Sequence, residues 1–238
     1  MATMVIKTVR DYAVENPNAT RVFEKYGIDY CCGGHKPLAD ACAAANVDVN
    51  EVLKGIENGG SATSNDNAKD WRRESLTALV EHINSTHHVY VKEEVPRLLQ
   101  LIAKVVAAHG ANHPELLTVQ QTFSGLGQEL SMHLMKEEQI LFPYVAQAER
   151  SAKTGEPLPP SCFGTVQNPV RMMMMEHDSA GTALKELREA TSDYAVPGDA
   201  CISYKTLYQA LQDFEKDLHQ HIHLENNILF PRAIELEG

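Results

Sequence analysis

The sequence predicts an all-α protein: an up-down four-helix bundle preceded by a small helical N-terminal domain. Three observations carry that reading. Apolar residues recur with helical period along the whole chain, with no convincing period-2 strand. Four of the periodic segments, about 71–108, 114–149, 169–194 and 200–235, are long and are separated by chemically distinct Gly/Pro breaks. A block in the second of them returns in the fourth. A helix of about 30 residues is about 45 Å long, and four such helices with mostly short connections pack most simply as an up-down bundle.

Residues 1–58 read as a set of short helices. The Asn16-Pro17-Asn18 break precedes a helix over 19–26, a Gly33-Gly34 turn follows, and 37–45 and 49–57 supply two more. Residues 59–69 open with Gly59-Gly60-Ser61 and continue small and polar, which predicts a flexible linker. The bundle then spans 70–238. Gly110 to Pro114 ends its first helix, Thr154 to Pro160 its second, and Val196-Pro197-Gly198-Asp199 its third. The second connection, about 20 residues with Pro and Gly throughout, is the long one.

Charge narrows the partners. Against 21 Lys and Arg stand 32 Asp and Glu, a formal charge of -11, and an acidic surface repels phosphate backbones and anionic lipid. Nucleic acid and membrane surfaces are not expected partners. The longest apolar stretch, Leu98 to Ala108, is broken by Gln100 and Lys104 and falls well short of the roughly 18 residues a membrane span needs. Residues 1–15 hold no continuous apolar core of a secretory signal, so a cytoplasmic location is expected. Five scattered cysteines, an odd number, read as reduced thiols.

The chemistry lies in the repeat. His133, Glu137 and Ile140-Leu141-Phe142-Pro143 return as His221, Glu225 and Ile228-Leu229-Phe230-Pro231, each displaced by 88 positions. His88 and His177 stand 89 apart, so each half reads His, a gap of about 44, then His-x-x-x-Glu. Residues at i and i+4 share a helix face, close enough for an imidazole and a carboxylate to hold one metal. Both pairs sit on apolar seams: Leu126, Leu130, His133, Glu137, Ile140, Leu141 and Phe214, Leu218, His221, Glu225, Ile228, Leu229. His177 lies on the stripe Met173, Ala180, Leu184, Leu187, and His88 on Val91, Val95, Leu98, Ile102. Two carboxylates aimed into a core need compensating positive charge, and no Lys or Arg shares these stripes. A pair of cations supplies it. Imidazole with carboxylate and no thiolate suits a dinuclear iron centre. The Glu-x-x-His pattern of ferritin-type bundles occurs nowhere in the chain. His87 adjoins His88 and competes with it. His219 and His223 flank His221, which the 88-residue register selects.

These blocks resemble the hemerythrin-like family. With Asp29-Tyr30-Cys31-Cys32-Gly33-Gly34 added, the chain closely resembles the bacterial iron-sulfur cluster repair di-iron proteins, the repair of iron centres family. The resemblance implies a hemerythrin-like bundle with two iron ions per chain, oxo- and carboxylate-bridged, on His88, His133, Glu137, His177, His221 and Glu225. The ligand set departs from that of oxygen-carrying hemerythrins, which use five histidines. Transient iron-sulfur protein partners are implied, with nitric oxide or oxygen as the small ligand. The implied role is restoring clusters damaged by nitrosative or oxidative stress, by donating iron, removing nitric oxide, or both. A carrier or sensor of oxygen or nitric oxide, and an enzyme reducing nitric oxide to nitrous oxide, are the alternatives. Oligomeric state is open between monomer and homodimer.

Cys31 and Cys32 are vicinal, a spacing that strains a disulfide, and read as two thiols in a Gly-rich turn and as candidates for thiol transfer. Cys42, Cys162 and Cys201 read as ordinary reduced residues, and the run Met172 to Met175 as core filler. Glu129 and Glu176, near His133 and His177, are expected to be solvated. His35, His82, His109 and His113 carry no pattern.

Overall fold

The computed structural model describes residues 7–58, 69–158 and 160–237, and among them every regular element is a helix. The N-terminal part holds α1 (Val9–Glu15), α2 (Pro17–Tyr26), α3 (Leu38–Ala44) and α4 (Val49–Asn58). Helix α1 was not legible in the sequence, because seven residues are too few for a period to stand out. It is held by a capping box. The Thr8 hydroxyl accepts from the Asp11 N–H at 3.2 Å, and the Asp11 carboxylate accepts from the Thr8 N–H at 2.8 Å. The apolar faces close on Val9, Phe23, Leu38, Val52 and Ile56, a small core of their own. In the turn after α2, a Cβ on Gly34 would stand 2.7 Å from the Tyr30 carbonyl oxygen, so only glycine fits there. The expected linker falls almost wholly on 59–68, outside the described residues.

Four long helices follow. α5 joins Leu76–Ile83 to Val89–His109 through a π turn, Asn84–His88. α6 joins Glu115–Lys136 to Phe142–Thr154 through Glu137–Leu141, α7 is Gln167–Ala190, and α8 joins Ile202–Leu224 to Phe230–Glu235 through Glu225–Leu229. The first helix starts at Leu76 and not at 71, because Ser75 caps it by accepting from the Ala78 N–H. Glu149 of α6 reinforces that start, accepting from the amides of Leu76 at 2.8 Å and Thr77 at 3.1 Å. The third helix stops at Ala190 and not at 194. The Thr191 hydroxyl turns back onto the Leu187 carbonyl at 2.8 Å, and Ser192, Asp193 and Tyr194 take φ of 50°, 59° and 58°. The second helix runs on to Thr154, which shortens the long connection to 155–166.

α6 packs against α5 and α7, and α5 against α8. Gly127 makes the α5–α6 approach close, since a Cβ there would meet Val95 Cγ1 at 2.8 Å. Two apolar clusters fill the interior. One is built on Leu98, Ile102, Phe123, Leu126, Leu184 and Phe214, the other on Leu79, Ile83, Phe142, Val145, Met173 and Phe230. Along all four helices the candidate ligands fall between them: His88 after Ile83 and before Val91, Glu137 after Leu134 and before Leu141, His177 between Met173 and Ala180, Glu225 after Ile222 and before Ile228. Each fully buried Leu or Phe contributes about 1.5–3 kcal/mol, and together the clusters offset the cost of a polar slab between them. The Met run departs from the core reading. Met173 is buried while Met172, Met174 and Met175 are exposed.

Candidate metal centre

Three of the six candidate ligands sit at the ends of π turns, and for two of these the sequence says why. Pro143 has no N–H for the carbonyl of Gln139 four residues back, and Pro231 none for Asn227. The helix widens just before each proline, and the Phe142 N–H bonds the Glu137 carbonyl as the Phe230 N–H bonds that of Glu225. The extra residue in the turn rotates the face that follows. Ile140, expected on the seam, is 45% exposed, while Leu141 and Phe142 are buried in its place. Such π turns interrupt α-helices most often at functional sites.

The six residues converge as two overlapping groups, His88, Glu137, His221, Glu225 and His133, Glu137, His177, Glu225. All are buried, both glutamates completely. Glu137 lies 3.4 Å from His88 Nε2 and 3.3 Å from His133 Nε2; Glu225 lies 3.0 Å from His221 Nε2 and 3.1 Å from His177 Nε2. Each carboxylate therefore touches one imidazole of each group. Among the described residues the only cationic side chains in ion-pair range of either glutamate are imidazoles.

A second ring of oxygens sets the tautomers. His88 Nδ1 donates to Glu138 at 2.8 Å, His133 Nδ1 to Glu176 at 2.9 Å, and His177 Nδ1 to Asn226 Oδ1 at 2.8 Å. With Nδ1 carrying the proton, Nε2 presents a bare lone pair inward, the arrangement metal-binding histidines use. Lys92 and Lys136 neutralise Glu138 and Glu176 from outside. His221 Nδ1 has no partner, and the His87 ring stacks on it with centroids 5.5 Å apart.

Two observations test whether a cation suits this cavity. His133 Nε2 and His177 Nε2 stand 3.1 Å apart, a contact two lone pairs cannot share without a proton or a metal between them. Of the seven buried side-chain polar atoms without a hydrogen-bond partner among the described residues, five belong to His88, Glu137, His221 and Glu225. Charge agrees. Burial pushes the Glu137 carboxyl up and Glu225 pushes it further, but His133 and His88 outweigh both and leave it below the usual range. Glu225 is held well below that range, where burial is overcome by His221 and His177. Burial lowers His133, but Glu137 beside it raises it to about 9. The donor set, two anions with four imidazole nitrogens, fits divalent metal, which takes the place of the protons on the inward nitrogens.

The family model of the hemerythrin HHE cation binding domain matches residues 79–233, which include all six of these side chains. The chain belongs to that family. A second model, described as a domain of unknown function (DUF542, ScdA_N), matches residues 6–59, around Cys31 and Cys32. A probable iron-sulfur cluster repair protein of Haemophilus influenzae is 37% identical, over 94% of this chain and 95% of the relative. Proteins named iron-sulfur cluster repair protein YtfE are similar too, at 34% identity in Citrobacter koseri and 36% in Escherichia coli O81, each over 94% of both chains. The resemblance read from the motifs is thus to proteins aligned almost end to end with this family member.

The competing histidines go elsewhere. His87 Nδ1 donates to Asp217 at 2.9 Å, and the residue lies outside both groups. His219 meets Glu24 of α2 at 3.0 Å. His223 Nδ1 accepts from Asn227 at 2.8 Å, and burial, with Arg10 nearby, lowers that imidazole to about 4. Glu129 is exposed as expected, whereas Glu176 is engaged by His133 and Lys136. Sequence reasoning missed Glu138 and Asn226. Each directly follows a repeat glutamate, and on a helix the position next to a ligand faces a neighbouring helix, so its partner is an imidazole on another helix, His88 for Glu138 and His177 for Asn226, as His133 is for Glu176.

Cys31 and Cys32 do not lie in a free turn. Cys31 is buried against the larger bundle cluster, and the two sulfurs are 3.9 Å apart. Asp29 Oδ1 accepts from both cysteine amides, at 3.1 Å and 3.0 Å. The Cys31 thiol is pushed well up, by its hydrogen bond to Cys32 and then by burial, so it stays protonated. Docking to α8 is polar: Asn227 Nδ2 donates to the Tyr30 carbonyl at 2.9 Å, and Arg10 donates to the Asn227 carbonyl at 3.2 Å, the one Pro231 leaves without its helical donor. No helix among the described residues is long and apolar enough to cross a membrane.

Proposed function

We propose that the chain holds two irons and serves in the repair of iron-sulfur clusters damaged by nitrosative or oxidative stress, by donating iron, removing nitric oxide, or both. His88 and His221 would hold one metal and His133 and His177 the other, with Glu137 and Glu225 common to both groups. The observation that carries this reading is that the two four-residue groups share both carboxylates and nothing else. A single-metal site needs no such overlap. The names of the relatives favour repair over a carrier or sensor, and their iron-sulfur targets are the partners expected here. When bound, a reduced iron pair supplies exchangeable iron and a place for a diatomic gas. The protein's part is to turn Nδ1 outward to its acceptors so that Nε2 faces the metal position, to hold two carboxylates as anions, and to exclude water with the flanking apolar clusters.

Anaerobic loading with ferrous iron should give about two irons per chain, with the charge-transfer bands of an oxo-bridged pair after oxidation, and the loaded protein should restore an iron-sulfur enzyme inactivated by nitric oxide. One iron per chain would overturn the bridged pair, and two irons without any restoration would overturn the repair role.

A further inference from the structure

Of the four inward-facing imidazoles, one is tied to the N-terminal part, and by two independent contacts. Asn226 Oδ1 accepts from His177 Nδ1 at 2.8 Å, and its Nδ2 donates to the Cys31 carbonyl at 3.4 Å. The Nδ2 contact settles which end of the amide faces the histidine. The Cys32 thiol donates to the His177 main-chain carbonyl at 3.5 Å. Gly181, one turn on along α7, faces that sulfur, which would stand 3.5 Å from a Cβ there, in ordinary contact. His88 and His133 are held from within the bundle by Glu138 and Glu176, and His221 has the His87 ring. The cysteine turn thus touches the His133/His177 half of the site and leaves the His88/His221 half alone. Cys32 also lines a cavity of about 590 Å³ with Asp29, Asp178, Lys185 and His219, so small molecules can reach its sulfur.

We propose that Asn226 is a positioning residue that couples the Cys31-Cys32 turn to the His133/His177 half of the site, which makes that metal the one whose retention depends on the state of the thiols. This rests on the two-iron reading above. With the turn seated, the Cys31 carbonyl holds the Asn226 amide, the amide holds the His177 ring, and the ring presents Nε2 inward. A group larger than hydrogen on Cys32 removes its donation to the His177 carbonyl and lifts the turn. Asn226 then loses one anchor, and His177 loses a fixed acceptor. Outer hydrogen-bond partners of this kind change metal affinity by about 10–100-fold. Coupling is reciprocal, so metal on His177 must in turn seat the cysteine turn and protect its thiols.

The test uses the full-length chain, metal-free and loaded with ferrous iron, and compares the rate at which N-ethylmaleimide alkylates Cys32. Loading should slow alkylation by about tenfold or more in the native protein. Asn226→Asp keeps an oxygen for His177 Nδ1 but loses the donor to Cys31, so at saturating ferrous iron its loaded and metal-free rates should converge. Equal rates in the native protein despite two bound irons would overturn the coupling. A rate ratio unchanged by Asn226→Asp would overturn it too, because the thiols would then be meeting the metal directly. Native protein that never takes up two irons would instead sink the two-iron reading itself. A second measurement does not depend on the Asp variant folding. Cys32→Ala should hasten loss of one of the two irons to a chelator by about tenfold and leave the other unchanged, and equal effects on both irons, or none, would overturn the proposal.

Discussion

Both ends of the bundle bring histidines to carboxylates, and they do opposite things with them. At the far end His113 donates from both ring nitrogens, to Glu115 at 2.8 Å and Asp199 at 3.1 Å, which raises its affinity for a proton. His109 meets Cys201 at 3.2 Å, and Tyr204 reaches Glu115 at 3.3 Å. Every partner there is already used, and Asp199 and Cys201 are open to water. At the other end three imidazoles give their outer nitrogen to an oxygen and the fourth stacks on a neighbouring ring, and the inner nitrogens crowd together with two buried carboxylates. A polar cluster is a finished structure when each group has its own partner. It is a metal site when the groups are buried, oriented and left over.

That contrast can be broken most directly at the shared carboxylates. Glu137→Ala or Glu225→Ala should lose both irons, since each removes an anion common to the two groups, while Glu115→Ala at the far end should keep both; metal analysis after desalting decides it. Two irons retained in either first variant would mean that the overlap has no role. A smaller but sharper difference is expected along α8. His221→Ala should lose iron, while His219→Ala and His223→Ala should keep it, because those two face Glu24 and Asn227. Equal loss in all three would show the 88-residue register to be misleading.

Stability separates the ends more weakly. Glu149→Gln should destabilise the site end by about 1–2 kcal/mol, because it removes a charged cap from the amides of Leu76 and Thr77. Burial raises the Glu149 carboxyl, but the Thr77 hydroxyl and those amides outweigh it, so the folded group lies below its ordinary value of 4.5. Its contribution is therefore complete above that value and is lost as pH falls through the range beneath it. The gap between native and Glu149→Gln denaturation midpoints should close on acidification, and a gap that does not change with pH would rule out the charged cap. The smallest effect belongs to the far end. His113→Ala should leave the iron content unchanged and the thermal midpoint within error, and any loss of iron would show the two ends to be coupled.

Most of the bundle was open to reading because its design is local. Apolar period, Pro and Gly breaks and the repeated His-x-x-x-Glu all concern residues one or two turns apart, and a helix converts such spacing directly into a shared face. The helix ends were less open: 71 gave way to Leu76, and 194 to Ala190, because a cap is one side chain's hydrogen bond and the periodic pattern runs past it. Ile140 and Ile228 hold the same place in matching π turns, yet Ile140 is exposed and Ile228 buried, with α1 packed against the second turn, a contact no helical wheel contains.

The sequence by itself determined the class of the protein, the four long helices and the pairing of His133 with Glu137 and His221 with Glu225, because those relations are carried by continuous stretches of chain. Tertiary structure alone chose between His87 and His88, which differ by one step on the same widened turn and are told apart only by what faces them, Asp217 on one side and Glu137 with Glu138 on the other. It alone also brought Asn226 from α8 between His177 and Cys31, residues 49 and 195 positions away. Contacts at such separations depend on how whole helices settle against one another, and no period in the chain encodes the partner across the gap.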